Sequence, residues 1–284
     1  MAQVLNKKRL TKSEKRVALL SRIVIWIMIA IVMFPIIAVV SASMADGQAF
    51  NQSSLLPETW TLKNYKAVLT ETDFLIWVKN TVIISLTVAL IQLFLTIPSA
   101  FAFSRLKFWG RKNGLMMLLL LQMFPAAMAL PSILGIAYKL NAMDNIWALV
   151  IIQCGGSAYN IWLMKGFIDG IPKELTEAAY MDGATTFQTF IQVILPLTKN
   201  MLIVIFLFSF IGSYSEFVFA SALLKDPTTQ TIATGLKGFI TGQFSANWTQ
   251  YSAAAIMACV PIVFLFTISQ KYIADGLVSG SVKG

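Results

Sequence analysis

Residues 23–40 read IVIWIMIAIVMFPIIAVV, a charge-free run that follows Arg22 and meets no further charge until Asp46. A helix rises about 1.5 Å per residue, so roughly 20 apolar residues cross the hydrocarbon core of a bilayer, and 18 already make a candidate. Working outward, charge-free intervals of similar length lie between Lys79 and Arg105, between Lys112 and Lys139, and between Asp144 and Lys165. A fifth begins after Lys199 and reaches about Leu224 with Glu216 as its only charge, and a sixth is placed at Ala253–Ser269. These are continuous runs of Leu, Ile, Val, Phe and Ala, whereas barrel strands alternate in polarity. In lipid each backbone donor and acceptor must be satisfied inside the segment, so the expected fold is all-α and polytopic, with six transmembrane helices. The composition agrees: 57% hydrophobic, 12% charged, mean hydropathy +0.73.

The first run has a rival reading as a cleaved signal peptide, because basic residues precede it and Ser43 and Ala45 resemble a small-residue cleavage site. Its apolar part exceeds the usual signal core of about 7 to 15 residues, and a hydrophobic bundle follows, so retention is expected. Lys and Arg in short loops set orientation. One side receives the N-terminal tail (Lys7 to Arg22), Arg105, Lys107, Arg111, Lys112, Lys165, Lys173, Lys199, Lys271 and Lys283, which makes sixteen of the 22 basic residues. That side is expected to be cytoplasmic, with both termini on it. The implied organisation is a basic tail over 1–22, a six-helix domain over 23–274 containing an inner loop at 171–196, and a tail over 275–284. The net charge of +9 sits largely beside membrane ends, where topology and anionic lipid explain it without nucleic acid.

Several chemistries are missing. There is no histidine, the commonest general base and metal ligand, and no G-x-x-x-x-G-K-[ST] loop for binding nucleotide phosphates. Cys154 and Cys259 are too few and too separated for a zinc set or a disulfide framework. No catalytic or metal-ligating residues are expected, so the chain reads as a non-enzyme. Glu216 lies roughly 25 Å along the fifth helix from Lys199, which leaves two readings: a carboxylate at the water interface, or the lip of a solute path. Candidate path residues are Gln122, Gln153, Asn160, Ser209, Ser213, Tyr214 and Glu216; each could equally bridge helices. Prolines at 35, 98, 125, 131 and 261 each remove a donor and open a local kink. In the first outer loop, Leu62, Tyr65, Val68 and Leu69 suit either a helix on the membrane surface or a packed loop.

The inner loop carries the most information: Ile171-Pro172-Lys173-Glu174-Leu175-Thr176-Glu177-Ala178-Ala179-Tyr180-Met181-Asp182-Gly183. Pro172 suits a helix start, Lys173–Met181 a short helix, Gly183 a left-handed stop, and Thr185 or Thr186 a cap for a second helix. Glu177, Ala178, Ala179, Gly183, Val193, Leu195 and Pro196 resemble the EAA loop of binding-protein-dependent ABC importer permeases: E-A-A, three residues, G, nine residues, I, one residue, L-P, with Val193 departing mildly at the Ile position. Trp60 to Tyr65, Phe74, Trp77, Asn80 and Thr81 look like carbohydrate importer permeases, and Gly276 to Gly284 resembles the C-terminus of MalG-type maltose and maltodextrin permeases.

The resemblance implies a type I importer fold and a bacterial cytoplasmic-membrane location. Glu177, Ala178, Ala179, Gly183, Leu195 and Pro196 would couple to an ATPase, and Gly280, Lys283 and Gly284 would reach its dimer interface. Gly235, Gly238 and Gly242 would bend an outer loop that enters the cleft of an extracytoplasmic sugar-binding protein. The implied partners are a MalF-type permease, two ATPase subunits that carry ATP and Mg, and the binding protein; this chain itself would hold no cofactor. The function implied is one half of an oligosaccharide path, most closely of the maltodextrin type. The competing reading is a stand-alone secondary carrier or channel for a small polar solute.

Overall fold

A computed structural model describes residues 11–47, 56–241 and 246–278, and these residues contain helices and one isolated bridge, Ala45 to Trp60, but no strand. Helix α1 (Lys12–Ser43) starts at a capping box in which the Thr11 hydroxyl accepts from Glu14 N and the Glu14 carboxylate accepts from Thr11 N. This satisfies two free helix-end donors, so the chain turns helical ten residues before the tail was expected to end. Along its length α1 packs chiefly on the last helix, leaving side chains such as Trp26 (69%) exposed where lipid would lie. Its far end is fastened by α2 (Lys63–Glu71): Asn64 Nδ2 donates to Ser43 O and Ala45 O, and the Tyr65 and Ser43 hydroxyls lie 2.8 Å apart. Val68 is buried beneath α2 while Leu62 and Leu69 stay exposed, so this segment is a packed helix with an apolar exposed edge.

Helix α3 (Phe74–Arg105) is the central post. Two broken spans follow. Helices α4 (Gly114–Gln122) and α5 (Ala126–Lys139) meet at 92°, and α6 (Ile146–Cys154) and α7 (Ala158–Asp169) meet at 47°. Pro125 causes the first break: it lacks an N–H, adopts an extended ψ of 118° and starts a new helix. The Gly155-Gly156 pair marks the second. The prolines at 35, 98, 131 and 261 lie inside continuous helices.

Next come α8 (Lys173–Met181), α9 (Thr186–Thr189), a π-helical turn (Phe190–Ile194), α10 (Leu195–Leu197), α11 (Lys199–Tyr214), α12 (Val218–Leu223), α13 (Ile232–Gly238) and α14 (Trp248–Val278). The last span begins before the expected Ala253, because Asn247 Oδ1 accepts from Gln250 N and the Thr249 hydroxyl and so starts the helix ahead of the apolar run. Four described helices are long and apolar enough to cross a membrane, and six spans result when each bent pair counts as one.

Three clusters hold the bundle. Phe101, Met164, Ile168, Ile194 and Ile205 pack at the end that carries α8. Trp77, Phe210, Tyr214, Ile232 and Ala254 form the opposite end. Ile84, Val88, Leu149, Val150 and Leu223 join α3 to α6 and α12.

Candidate docking helix and transport cavity

Helix α8 stands on a folded base and shows its own surface to solvent. Its C-terminus closes as a Schellman motif: Gly183 N donates to Tyr180 O (3.1 Å), Ala184 N donates to Ala179 O (2.9 Å), and Gly183 has φ +81°. Thr185 then caps α9 reciprocally with Gln188. The π-helical turn delivers Ile194, fully buried, into the core against α3, α7 and α11, and Phe190 packs on Phe101 at 5.1 Å. The motif position Val193 is only half buried; its neighbour Ile194 is the anchor. Leu195 is half-buried and Pro196 exposed. The approach to α8 is clamped as well, since Arg105 Nη2 donates to Ile168 O (2.8 Å) and Ile171 O (2.5 Å) and the Ser104 hydroxyl donates to Asp169 Oδ1 (2.6 Å). On this rigid base Glu177 and Ala178 are exposed and Ala179 partly so, beside exposed Leu175 (44%), Met181 (88%) and Phe187 (72%).

The two broken spans border a cavity of about 850 Å³. Gln153, Asn160, Ser209, Ser213 and Glu216, five of the seven expected path residues, line it together. The structure does not bring the other two there. Tyr214 faces α14, where its hydroxyl donates to Ala258 O (2.8 Å), so it fastens helices. Gln122 accepts from Tyr159 N through Oε1 (3.1 Å), capping α7 from the last residue of α4.

A residue missed in the sequence, Gln92, completes the lining. Its Nε2 donates to Gln153 O (3.2 Å), its Oε1 accepts from Asn160 Nδ2 (3.2 Å), and Asn160 also donates to Ser209 Oγ (3.0 Å). The available signal was Thr81, Ser85, Gln92 and Thr96, polar residues recurring on one face of an apolar helix, all of them buried. Among the described residues Gln153 Nε2 and Ser213 Oγ are buried without a hydrogen-bond partner. Glu216 is the only charged residue among the described residues of the lining. Its carboxylate accepts from Phe219 N (2.7 Å) and Ala220 N (2.9 Å), so it also caps α12.

The connection between α12 and α14 is bolted to the start of α3. Asn80 Nδ2 donates to Thr228 O and Gln230 O, and Ile232 N donates to the Thr81 hydroxyl. The two described loop glycines, Gly235 and Gly238, do not act as bends. Gly235 lies inside α13, where a Cβ would sit 2.2 Å from Trp77 Cδ2, so its role is close packing on an indole. Gly238 ends α13 without a positive φ. Gly242, Gly280, Lys283 and Gly284 lie outside the described residues. No group of three or more potential metal ligands occurs among the described residues.

Residues 85–278 match the family described as the binding-protein-dependent transport system inner membrane component. The chain is 34% identical over 255 residues to the maltodextrin transport system permease protein MdxG of Bacillus subtilis (strain 168), covering 89% of this chain and 92% of that one. It is 32% identical to the maltose/maltodextrin transport system permease protein MalG of Escherichia coli (strain K12), covering 96% and 98%. To the galactooligosaccharides transport system permease protein GanQ of Bacillus subtilis (strain 168) it is 33% identical, covering 94% and 95%. In fold it is similar to a chain of a bacterial ABC transporter involved in import of the acidic polysaccharide alginate, with TM-score 0.78 and 24% identity over 94% of this chain and 99% of that one. An apolar, broken-helix bundle that projects a short helix from a folded base, with likeness of this extent, makes the chain a member of the binding-protein-dependent transport system inner membrane components, a non-enzymatic ABC permease of the MalG type.

Proposed function

We propose that this chain forms half of the translocation path of an ATP-driven oligosaccharide importer, most closely of the maltodextrin type, and that α8 is the lever through which an ATPase moves it. The observation that carries the reading is the exposure of Leu175, Met181 and Phe187 around Glu177 and Ala178 on a helix whose base is locked into the core. Exposed apolar side chains on a rigid projection are what a docking contact requires. The cavity supports the substrate class: amides and hydroxyls from Gln92, Gln153, Asn160, Ser209 and Ser213 suit the many neutral hydroxyls of a sugar. The names of the relatives, maltodextrin and galactooligosaccharide permeases among them, point the same way.

In this mechanism a binding protein delivers sugar at the face carrying the 226–250 loop. ATP, with Mg, closes two ATPase subunits on the opposite, cytoplasmic side, where both termini lie. Closure pushes α8, and Ile168, Ile194 and Arg105 pass the displacement to α3, α7 and α11, opening the cavity outward together with a second permease of the MalF type. Hydrolysis returns it inward.

Purification in mild detergent tests the assembly. An ATPase and a second permease should remain bound, and replacing Ala178 with Trp should release the ATPase while leaving the permease pair. Isolation of the chain as a lone active carrier would overturn the proposal. Calorimetry of the binding protein against a panel of oligosaccharides would assign the sugar; a preference for non-carbohydrate solutes would remove the substrate class.

A further inference from the structure

We propose that the turn joining α3 to α4 is a binding site for the headgroup of an anionic phospholipid. Residues 106–113 fold back beneath α3 and, with the end of α7, enclose a cavity of about 860 Å³ whose wall includes Lys107, Phe108, Trp109, Arg111, Lys112 and Lys165. None of its described lining residues is acidic. The four cations differ in their commitments. Arg111 donates through Nε to Phe103 O (3.0 Å) and through Nη2 to Ser104 O (2.7 Å), which fixes its guanidinium at the negative end of α3. Lys165 is held by Asp169 at 2.6 Å. Lys107 and Lys112 are exposed and make no ion pair or hydrogen bond with the described residues, so their charge is available to an external anion.

Two further observations select a lipid as that anion's carrier. Trp109 is 99% exposed and Phe108 43% exposed on a turn that Gly110 makes possible with φ +87°. An indole in this position packs on none of the described residues, and the membrane interface is where indoles settle in this way. Directly along α4, Met116, Met117, Leu120 and Leu121 are 59%, 65%, 59% and 63% exposed, and Met117 also lines the cavity. A basic pocket, an aromatic rim and an apolar strip in sequence match the headgroup, interface and acyl chain of one phospholipid. A soluble phosphate or an acidic protein would engage the lysines and leave Trp109 and the α4 strip unused. The site is independent of the sugar reading.

The test uses the chain with its co-expressed partners, reconstituted in phosphatidylcholine nanodiscs doped with either brominated phosphatidylglycerol or brominated phosphatidylcholine. Quenching of Trp109 is taken as the difference between wild type and W109F. Brominated phosphatidylglycerol should quench at a several-fold lower mole fraction, and the preference should fall about fivefold for each lysine neutralised in K107Q and K107Q/K112Q, as expected for roughly 1 kcal/mol per basic residue near an anionic surface. Excess inorganic phosphate should leave it unchanged. Equal quenching by both lipids, or a preference that survives K107Q/K112Q, would overturn the site. Displacement by phosphate would reassign it to soluble anions, and no quenching of Trp109 by either lipid would place the turn against a protein.

Discussion

Gly183 holds φ at +81° with no heavy atom within 4 Å of where a Cβ would stand, so a side chain there meets backbone strain and no steric wall. An L-residue in this region costs about 1–2 kcal/mol, more for a β-branched one and less for asparagine. Gly183→Val should therefore leave the six-span core intact and tilt or fray the end of α8, reducing sugar uptake in proteoliposomes by about tenfold while ATP hydrolysis persists. Gly183→Asn should retain most uptake. Equal uptake by the Val variant and wild type would separate this turn from coupling.

Asn80 offers a second residue-level test, because its one amide nitrogen holds both Thr228 O and Gln230 O. Asn80→Leu keeps the volume and leaves those carbonyls unpaired, for an expected loss of about 1–3 kcal/mol. Thermal unfolding should register that loss, and proteolysis should speed up within the 226–231 segment in particular.

At the scale of elements, α13 rests on α3 through a contact that tolerates no methyl group. A Cβ on Gly235 would approach the Trp77 ring at 2.2 to 2.5 Å, and that ring is already wedged between Phe74 and Phe239 at centroid distances of 6.4 and 6.1 Å. Gly235→Ala should destabilise by about 1–3 kcal/mol, as overpacking does. Trp77→Leu should destabilise alone through the cavity it leaves, but the double variant should recover part of both losses. Additive losses in denaturation midpoints would show that the two residues do not share the contact.

The sequence made helices legible wherever lipid dictates them, and it also disclosed α8, because Pro172, Gly183 and Thr185 act through local backbone chemistry that needs no tertiary partner. It did not disclose the breaks. Pro125 sits at a 92° bend while four other prolines ride inside intact helices, and the difference depends on whether neighbouring segments re-satisfy the freed carbonyls. Gly235 was opaque for a related reason: a glycine kept for close approach reads the same as one kept for a bend until its neighbour is known.

For the whole molecule, the governing fact is asymmetry: Gln92, Gln153, Asn160, Ser209, Ser213 and Glu216 converge on one cavity, and the apolar surface of α1 and α4 faces outward. The legible part of the cavity came from polar residues that interrupt apolar runs, while Tyr214 and Gln122, equally conspicuous in sequence, turned out to fasten helices. Ser209 distinguishes a moving path from a static crevice, since it lines the cavity and accepts from Asn160 on another helix. With Cys154 and Cys259 first replaced by alanine, Ser209→Cys should react with a membrane-impermeant maleimide at a rate that depends on nucleotide state. The reagent acts from the outer face of proteoliposomes holding the assembled transporter. If α8 drives alternating access, ATP trapped with vanadate should speed labelling at least several-fold over the resting state, because accessibility follows the population of the outward-open form. Adding Gly183→Val to the same chain should abolish most of that difference without changing the resting rate. A labelling rate indifferent to ATP would leave the cavity a fixed crevice and remove α8 from its control.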